Sequence, residues 1–338
     1  MSNKNIINKN KNKNINVNVN KNTDTDTESF GRFDFVKNIS LFGGISVVMV
    51  LASLIFLSVK GINYGIDFKG GTEIQVKFND PITIKQLRNS VETLQLGEVG
   101  VQSFGEGNEF IIRFIGEKGA SDKETNEKLN TVITRVKEKM TETFAASGVE
   151  IRRVDTVGPQ VGAELKRNGF LAVFYCLLVI LIYVSIRFDY KFGPGAVACL
   201  FHDAVITLAI FMLVGKEVNV PILAAILSLI GFSLNDTIVV FDRIRETEHI
   251  YKNKGYGFII NRSINDMLSR TLITSGTVFV TALCLYLFAG GVVSDIALAI
   301  AVGIFFGTYS SIYVAAPLIL VMEKLNLSPR SVNKASLG

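Results

Sequence analysis

Only three cysteines and two histidines occur in the 338 residues, and the short motifs that announce covalent or hydrolytic chemistry are missing. Cys176, Cys199 and Cys284 all fall inside apolar runs, where a thiol behaves as a small apolar side chain. Neither a disulfide framework nor a metal site is therefore expected. There is no nucleophile elbow, HExxH, CxxC pair or phosphate loop, so neither enzymatic activity nor a cofactor is expected. The segment Gly65-Ile66-Asp67-Phe68-Lys69-Gly70-Gly71-Thr72 looks briefly like a phosphate cradle. It lacks Lys followed by Ser or Thr after the second glycine, and it lies between an apolar helix and a strand, the wrong order for such a loop. A tight Gly-Gly turn that launches a strand from the membrane surface is the reading that fits.

What the chain has is apolar length. Runs at 39–59, 169–186, 193–214, 221–241, 271–290 and 295–322 each approach or exceed the roughly 20 residues that cross a bilayer. The first is too long for a signal-peptide core and is not followed by a small-residue cleavage site, so it reads as a retained anchor. Lys and Arg concentrate in the amino-terminal tail, beside Arg187 and Lys191, and between Arg243 and Arg270. The alternate connections hold only Lys216 and, at 290–295, no basic residue at all. Because short cytoplasmic loops carry the basic excess, both termini are expected inside and the polar insert at 60–168 outside. That asymmetry accounts for the net charge of +5 and makes a nucleic-acid partner unnecessary.

The expected organisation is a cytoplasmic Asn/Lys-rich tail at 1–38, a first span at 39–59, an outside domain at 60–168, a five-helix bundle at 169–322 and a cytoplasmic end at 323–338. Residues 1–28 contain too little apolar material to fold. In the insert, alternation at 72–78, 99–104, 109–114 and 149–157 predicts strands, and helical spacing at 83–94 and 122–146 predicts helices. The order β-α-β-β-α-β predicts a ferredoxin-like split α+β domain. The fold class is thus a polytopic helical membrane protein with one such extracytoplasmic domain.

Ionisable residues within spans are the candidate site, since a charge at the bilayer centre costs at least about 2.5–3.5 kcal/mol on insertion scales. Asp203 lies near the middle of the third run, and Asn235, Asp236 and Thr237 near the inner end of the fourth. On the fifth, Arg270, Thr274, Thr277 and Thr281 share one helical face and form a polar line. A carboxylate facing that line can pair with Arg270 when ionised and release it when protonated, which would turn passage of a proton into a change of helix contacts. The competing reading pairs Asp236 locally with Arg243 in a charged collar. His202 adjoins Asp203, but neighbours on a helix point about 100° apart and are not expected to face each other. Ala299, Gly303, Gly307 and Ser311 recur every four residues and predict close helix packing.

Two segments carry a resemblance. Gly65 to Thr72, after the first span, and Ser233-Leu234-Asn235-Asp236-Thr237-Ile238-Val239-Val240-Phe241-Asp242-Arg243-Ile244-Arg245-Glu246, in the fourth, resemble the hallmark segments of the SecF family of bacterial protein-export subunits. The similarity covers roughly residues 30–325 and leaves the Asn/Lys tail outside it. It implies a pairing with SecD in a twelve-span assembly like the resistance-nodulation-division transporters, association with SecYEG and YajC, unfolded preproteins as substrates, and residence among the lipids of the inner membrane. It also implies use of the proton gradient late in export, with Asp236 as the intramembrane carboxylate and Arg270 as its basic partner; Asp203, within His202-Asp203, also fits the family pattern and joins them as a relay candidate, with Asn235, Thr237, Arg243 and Thr274 as supporting polar residues. A proton-driven exporter of small molecules or lipids, and a passive scaffold, are the alternatives.

Overall fold

The computed structural model describes residues 31–94, 99–104, 107–114, 122–188 and 191–324. The expected disordered segment at 1–28 and most of the carboxy-terminal segment at 323–338 lie outside the described residues. In order the chain forms α1 (Ile39–Lys60), the single turn α2 (Ile66–Lys69), β1 (Gly71–Phe78), α3 (Ile84–Glu92), β2 (Val99–Ser103), β3 (Glu109–Phe114), α4 (Asp122–Thr143) and β4 (Val149–Val157). Then come α5 (Pro159–Arg187), α6 (Gly193–Leu213), α7 (Val220–Ile250), α8 (Tyr256–Phe288) and α9 (Gly291–Ser310), which passes through a π-helical turn at Ser311–Ala315 into α10 (Ala316–Lys324). Among the described residues, six helices are long and apolar enough to cross a membrane, α9 and α10 counting as one.

Three of these helices outrun their apolar stretches. α5 begins at Pro159 rather than 169, α7 continues to Ile250 rather than 241, and α8 begins at Tyr256 rather than 271. The extensions are polar, and their polar groups find partners that a hydropathy count ignores. At the start of α8, Asn261 Oδ1 accepts from the Phe35 amide at 2.7 Å, and Asn265 both accepts from Phe33 N at 2.9 Å and donates to Phe33 O at 2.8 Å. The chain preceding α1 is thereby fastened to α8.

The insert forms one four-stranded antiparallel sheet in the order β2-β3-β1-β4. Central β1 pairs Ile74 with Ile112 and Val76 with Phe110, and its alternate residues are buried as period-two patterning requires. α3 and α4 cover that face with Leu87, Val91, Val136 and Met140, all fully buried. A capping box fixes the start of α3, where Thr83 and Gln86 satisfy each other's backbone amides.

The sheet stands on the bundle through the glycine-rich segment. Gly70 and Gly71 adopt φ of 76° and 137°, which other residues avoid, and a Cβ on Gly70 would lie 2.8 Å from the Pro159 Cα. From the other side, a Cβ on Gly162 would lie 2.9 Å from the Gly70 nitrogen. Two backbones therefore touch where side chains usually intervene. Asp67, within α2, accepts a hydrogen bond from Val220 N at 2.9 Å, adding to the Asn219 cap of α7, whose side chain takes the Ile222 amide at 3.1 Å. Arg113 on β3 bridges Glu73 at 2.6 Å and Glu217, in the α6–α7 connection, at 2.5 Å. Burial works against that cation, yet Glu217 and Glu73 together outweigh burial and raise the guanidinium pKa, so the clamp stays charged.

The glycine contact yields a direct test. Gly61 also has positive φ, at 72°, but a Cβ there meets nothing within 4 Å. Gly70→Ala should therefore cost at least about 1 kcal/mol more than Gly61→Ala, because only the former adds a clash to backbone strain. Thermal unfolding of the detergent-solubilised protein measures the difference; equal losses would mean that the two backbones do not pack so closely.

Candidate intramembrane carboxylate site

α7 is a wall between two polar clusters, each built on one aspartate. Asp236 is 4% exposed, and its Oδ2 accepts a hydrogen bond from Ser275 of α8 at 2.7 Å. Arg270, five residues earlier on α8, interacts electrostatically with Asp236, but no ion pair within 4.0 Å joins the two among the described residues. The pair is close enough to attract and is not latched.

Asp203 of α6 is fully buried. Ser233 of α7 donates to its Oδ2 at 2.5 Å, and His202 Nδ1 lies 2.9 Å from its Oδ1. One turn back on α6, Cys199 Sγ is 3.0 Å from the Ser310 hydroxyl and 3.6 Å from that of Thr237. Helices α6, α7 and α9 thus meet over a connected polar knot. Its closeness depends on small residues: a Cβ on Gly307 would come within 3.4 Å of Asp203 Oδ2, and one on Gly303 would overlap Leu229 of α7 at 2.1 Å. Ala299 and Ser311, which complete the four-residue stripe, are buried as well.

Four expectations from the sequence need correction. His202 and Asp203 do face each other, because the 100° offset separates Cα–Cβ directions while the longer imidazole can still reach back to its neighbour's carboxylate. The His202 ring also stacks on Tyr309 at a centroid distance of 6.2 Å, and Tyr309 donates to Phe42 O of α1 at 2.7 Å. Arg243 does not pair with Asp236; its guanidinium is held by Asp266 at 2.5 Å and Glu246 at 2.6 Å, in a separate collar. The line of threonines on α8 is real as a face but is not a chain of side-chain contacts. Thr274, Thr277 and Thr281 are exposed and donate to carbonyls of their own helix, at 3.0, 2.8 and 2.9 Å. Such back-bonding is the usual satisfaction of a hydroxyl on a helix and uses its only proton, so that each threonine can still accept but does not donate to a neighbour. Finally, Cys199 sits among hydroxyls and beside a carboxylate, so it is not merely a small apolar filler.

The structure therefore gathers Asp236 with Ser275 and, at longer range, Arg270; it gathers Asp203 with Thr237 through Cys199. Asn235 and Thr274 face outward, and Arg243 lies apart. Ser275, Ser233 and Ser310 are the residues that the sequence reading missed. Each is a small hydroxyl within an apolar run, and only the positions of the aspartates on neighbouring helices single it out.

Comparison with known proteins gives the same answer along nearly the whole described chain. Residues 135–325 match the family described as protein export membrane protein SecD/SecF, C-terminal, and residues 55–82 match the SecD/SecF GG motif. The protein translocase subunit SecF of Calditerrivibrio nitroreducens is 42% identical over 294 residues, 86% of this chain and 94% of that one. The subunit of the same name from Escherichia coli O157:H7 is 37% identical over 293 residues, 86% and 88% of the two chains. Among solved structures, SecDF of Thermus thermophilus, described as a translocon-associated membrane protein, superposes with a TM-score of 0.75 at 34% identity. The match covers 87% of this chain but only 39% of that longer one. A SecDF structure in a super-membrane-facing form gives a TM-score of 0.64. With the glycine-rich segment inside one matched region, the Asn235-Asp236-Thr237 stretch and five of the six apolar helices inside the other, and a relative 42% identical over 94% of its own length, the chain belongs to the SecF family of protein translocase subunits.

Proposed function

We propose that this chain is an auxiliary subunit of the Sec preprotein translocase in the bacterial inner membrane, where it acts with SecD to couple the proton gradient to late steps of export. The supporting observation is Asp236, buried between α7 and α8 with a hydroxyl donor at 2.7 Å and a cation within electrostatic reach but not bonded to it. An ionised Asp236 attracts Arg270; a protonated one does not. Each charge moved through 100 mV carries about 2.3 kcal/mol, enough to shift a balance between two helix packings. Asp203 takes a second place in the relay, and its polar knot transmits the change from α7 to α6 and α9.

Pairing with SecD follows from the SecDF neighbours, whose single chain extends well beyond the part matched here, and from the outward faces of α7 and α8. Arg270 and Asn235 are exposed there, and facing lipid would be costly for both, so a partner's helices give them a setting. SecYEG, YajC and unfolded preproteins complete the assembly by family analogy. We read both termini as cytoplasmic and the sheet domain as lying outside, a reading supported by the basic residues of the alternate connections. We read that domain's strand order, with helices after the first and third strands, as the ferredoxin-like split arrangement.

Two substitutions test the relay. Asp236→Asn should leave membrane insertion and copurification with SecD intact while abolishing stimulation of preprotein export by a proton gradient in inverted vesicles; stimulation at the wild-type level would remove Asp236 from the mechanism. Asp203→Asn, which preserves shape and an acceptor for Ser233, should lower the same stimulation about tenfold, equivalent to roughly 1.4 kcal/mol. An unchanged value would confine the relay to Asp236 and Arg270.

A further inference from the structure

A large apolar groove of the bundle has no part in the carboxylate site. It has a volume of about 760 Å³, within the ~300–1,000 Å³ usual for sites that hold a small molecule, and it runs between α5 and α6 at the end of the bundle that carries the sheet. Its walls are apolar, with Phe170, Phe174 and Leu177 from α5 facing Phe201 and Leu208 of α6, and Phe68 closing the upper end. Phe170, Phe174 and Phe201 remain 74%, 53% and 44% exposed, so the groove opens sideways into whatever surrounds the helices.

Two cations sit at its mouth and nowhere deeper. Lys166 and Arg167 line the groove one helical turn before Phe170, and neither forms an ion pair within 4.0 Å among the described residues. The Lys166 ammonium is held 4.3 Å from the centroid of the Tyr64 ring, which keeps it over the entrance. From Arg167 to Leu177 is ten residues of α5, about 15 Å at 1.5 Å per residue, and hence half of a hydrocarbon core ~30 Å thick. The depth of the groove is that of one leaflet. A charged rim at the level of headgroups and an apolar trough one leaflet deep are complementary to a single kind of molecule.

We propose that this groove is a binding site for an anionic phospholipid of the leaflet on the sheet-domain side, an acyl chain lying between α5 and α6 and the headgroup phosphate meeting Lys166 and Arg167. An apolar helix of a partner protein would fill the trough but would leave the two cations unmatched. The proposal is independent of the export function, since it uses none of the residues assigned to the relay.

The absence of tryptophan from the chain makes the test clean. Phe174→Trp places a single fluorophore in the groove, and Ile55→Trp places one on the exposed face of α1 as a reporter of bulk lipid. The full chain is reconstituted into phosphatidylcholine vesicles containing a small fraction of either phosphatidylglycerol or phosphatidylcholine brominated on its acyl chains. Brominated phosphatidylglycerol should quench the Phe174→Trp protein with a preference of up to about thirtyfold over brominated phosphatidylcholine at low salt, the effect expected of two basic residues near a lipid headgroup. Lys166→Gln combined with Arg167→Gln should abolish the preference, as should high salt, and the Ile55→Trp protein should show none. Equal quenching by the two lipids would overturn the headgroup assignment. No quenching by either would mean that polypeptide fills the groove, and would overturn the site altogether.

Discussion

A carboxylate placed in a medium that cannot solvate it must be given partners by the surrounding helices, and the bundle is arranged around that constraint. Asp203 and Asp236 lie on α6 and α7; Ser233 and Ser275 reach them from neighbouring helices, while His202 and Cys199 reach Asp203 from its own. Such contacts contribute where lipid offers no alternative, although intramembrane hydrogen bonds are individually modest, at about 0.6 kcal/mol on average. Their value here is positional. Ser233 and Thr237 turn one side of α7 toward α6 and α9, while Asp236 turns toward Ser275 on α8, so a displacement of α7 is felt in both clusters.

Close approach is the second requirement, and glycine supplies it twice. Inside the membrane, a methyl group on Gly303 would overlap the Leu229 side chain of α7, and one on Gly307 would press on Ser233 and Asp203, so the two glycines let α9 lie close to α7 and α6. At the membrane surface, Gly70 and Gly162 bring the base of the sheet against the start of α5. The sheet domain is further tied by the Arg113 bridge to Glu217 and by Asp67 at the start of α7. The first amide of the helix that carries Asp236 is therefore bonded by the segment from which the sheet domain rises. For the proposed relay, that continuity offers a physical route between α7 and the sheet domain.

Much of this was legible in the residues, and the exceptions have specific causes. Apolar length located the six long helices, because the hydrocarbon layer imposes a minimum that few other structures satisfy. It misplaced the ends of α5, α7 and α8; at α7 and α8 the polar extensions are held by contacts such as Thr247 with Ser263 and Asn261 and Asn265 with the chain before α1, which carry no hydropathy signal. Alternation and helical spacing in the insert gave elements that occupy nearly the same residues in the structure, because a two-sided sheet writes its burial directly into the sequence. Asp236 stood out as a charge in an apolar run, but Ser275 did not, for a serine costs little in a membrane helix and its importance is set by what lies across from it. The His202–Asp203 contact was ruled out by a rule about Cβ directions that ignores side-chain length. The threonine face of α8 was found, but helical spacing could not tell that its hydroxyls turn back to their own carbonyls.

The central claim is that Asp236 changes protonation under the influence of Arg270 while shielded from bulk water. Infrared difference spectroscopy on the protein reconstituted with SecD, titrated from acid to alkaline pH, tests it most directly. The account predicts a carboxylic acid C=O band of a poorly hydrated group that is absent in Asp236→Asn and moves to a different pH range in Arg270→Gln. A carboxyl signal at position 236 that matches a fully hydrated aspartate and is indifferent to Arg270 would contradict it.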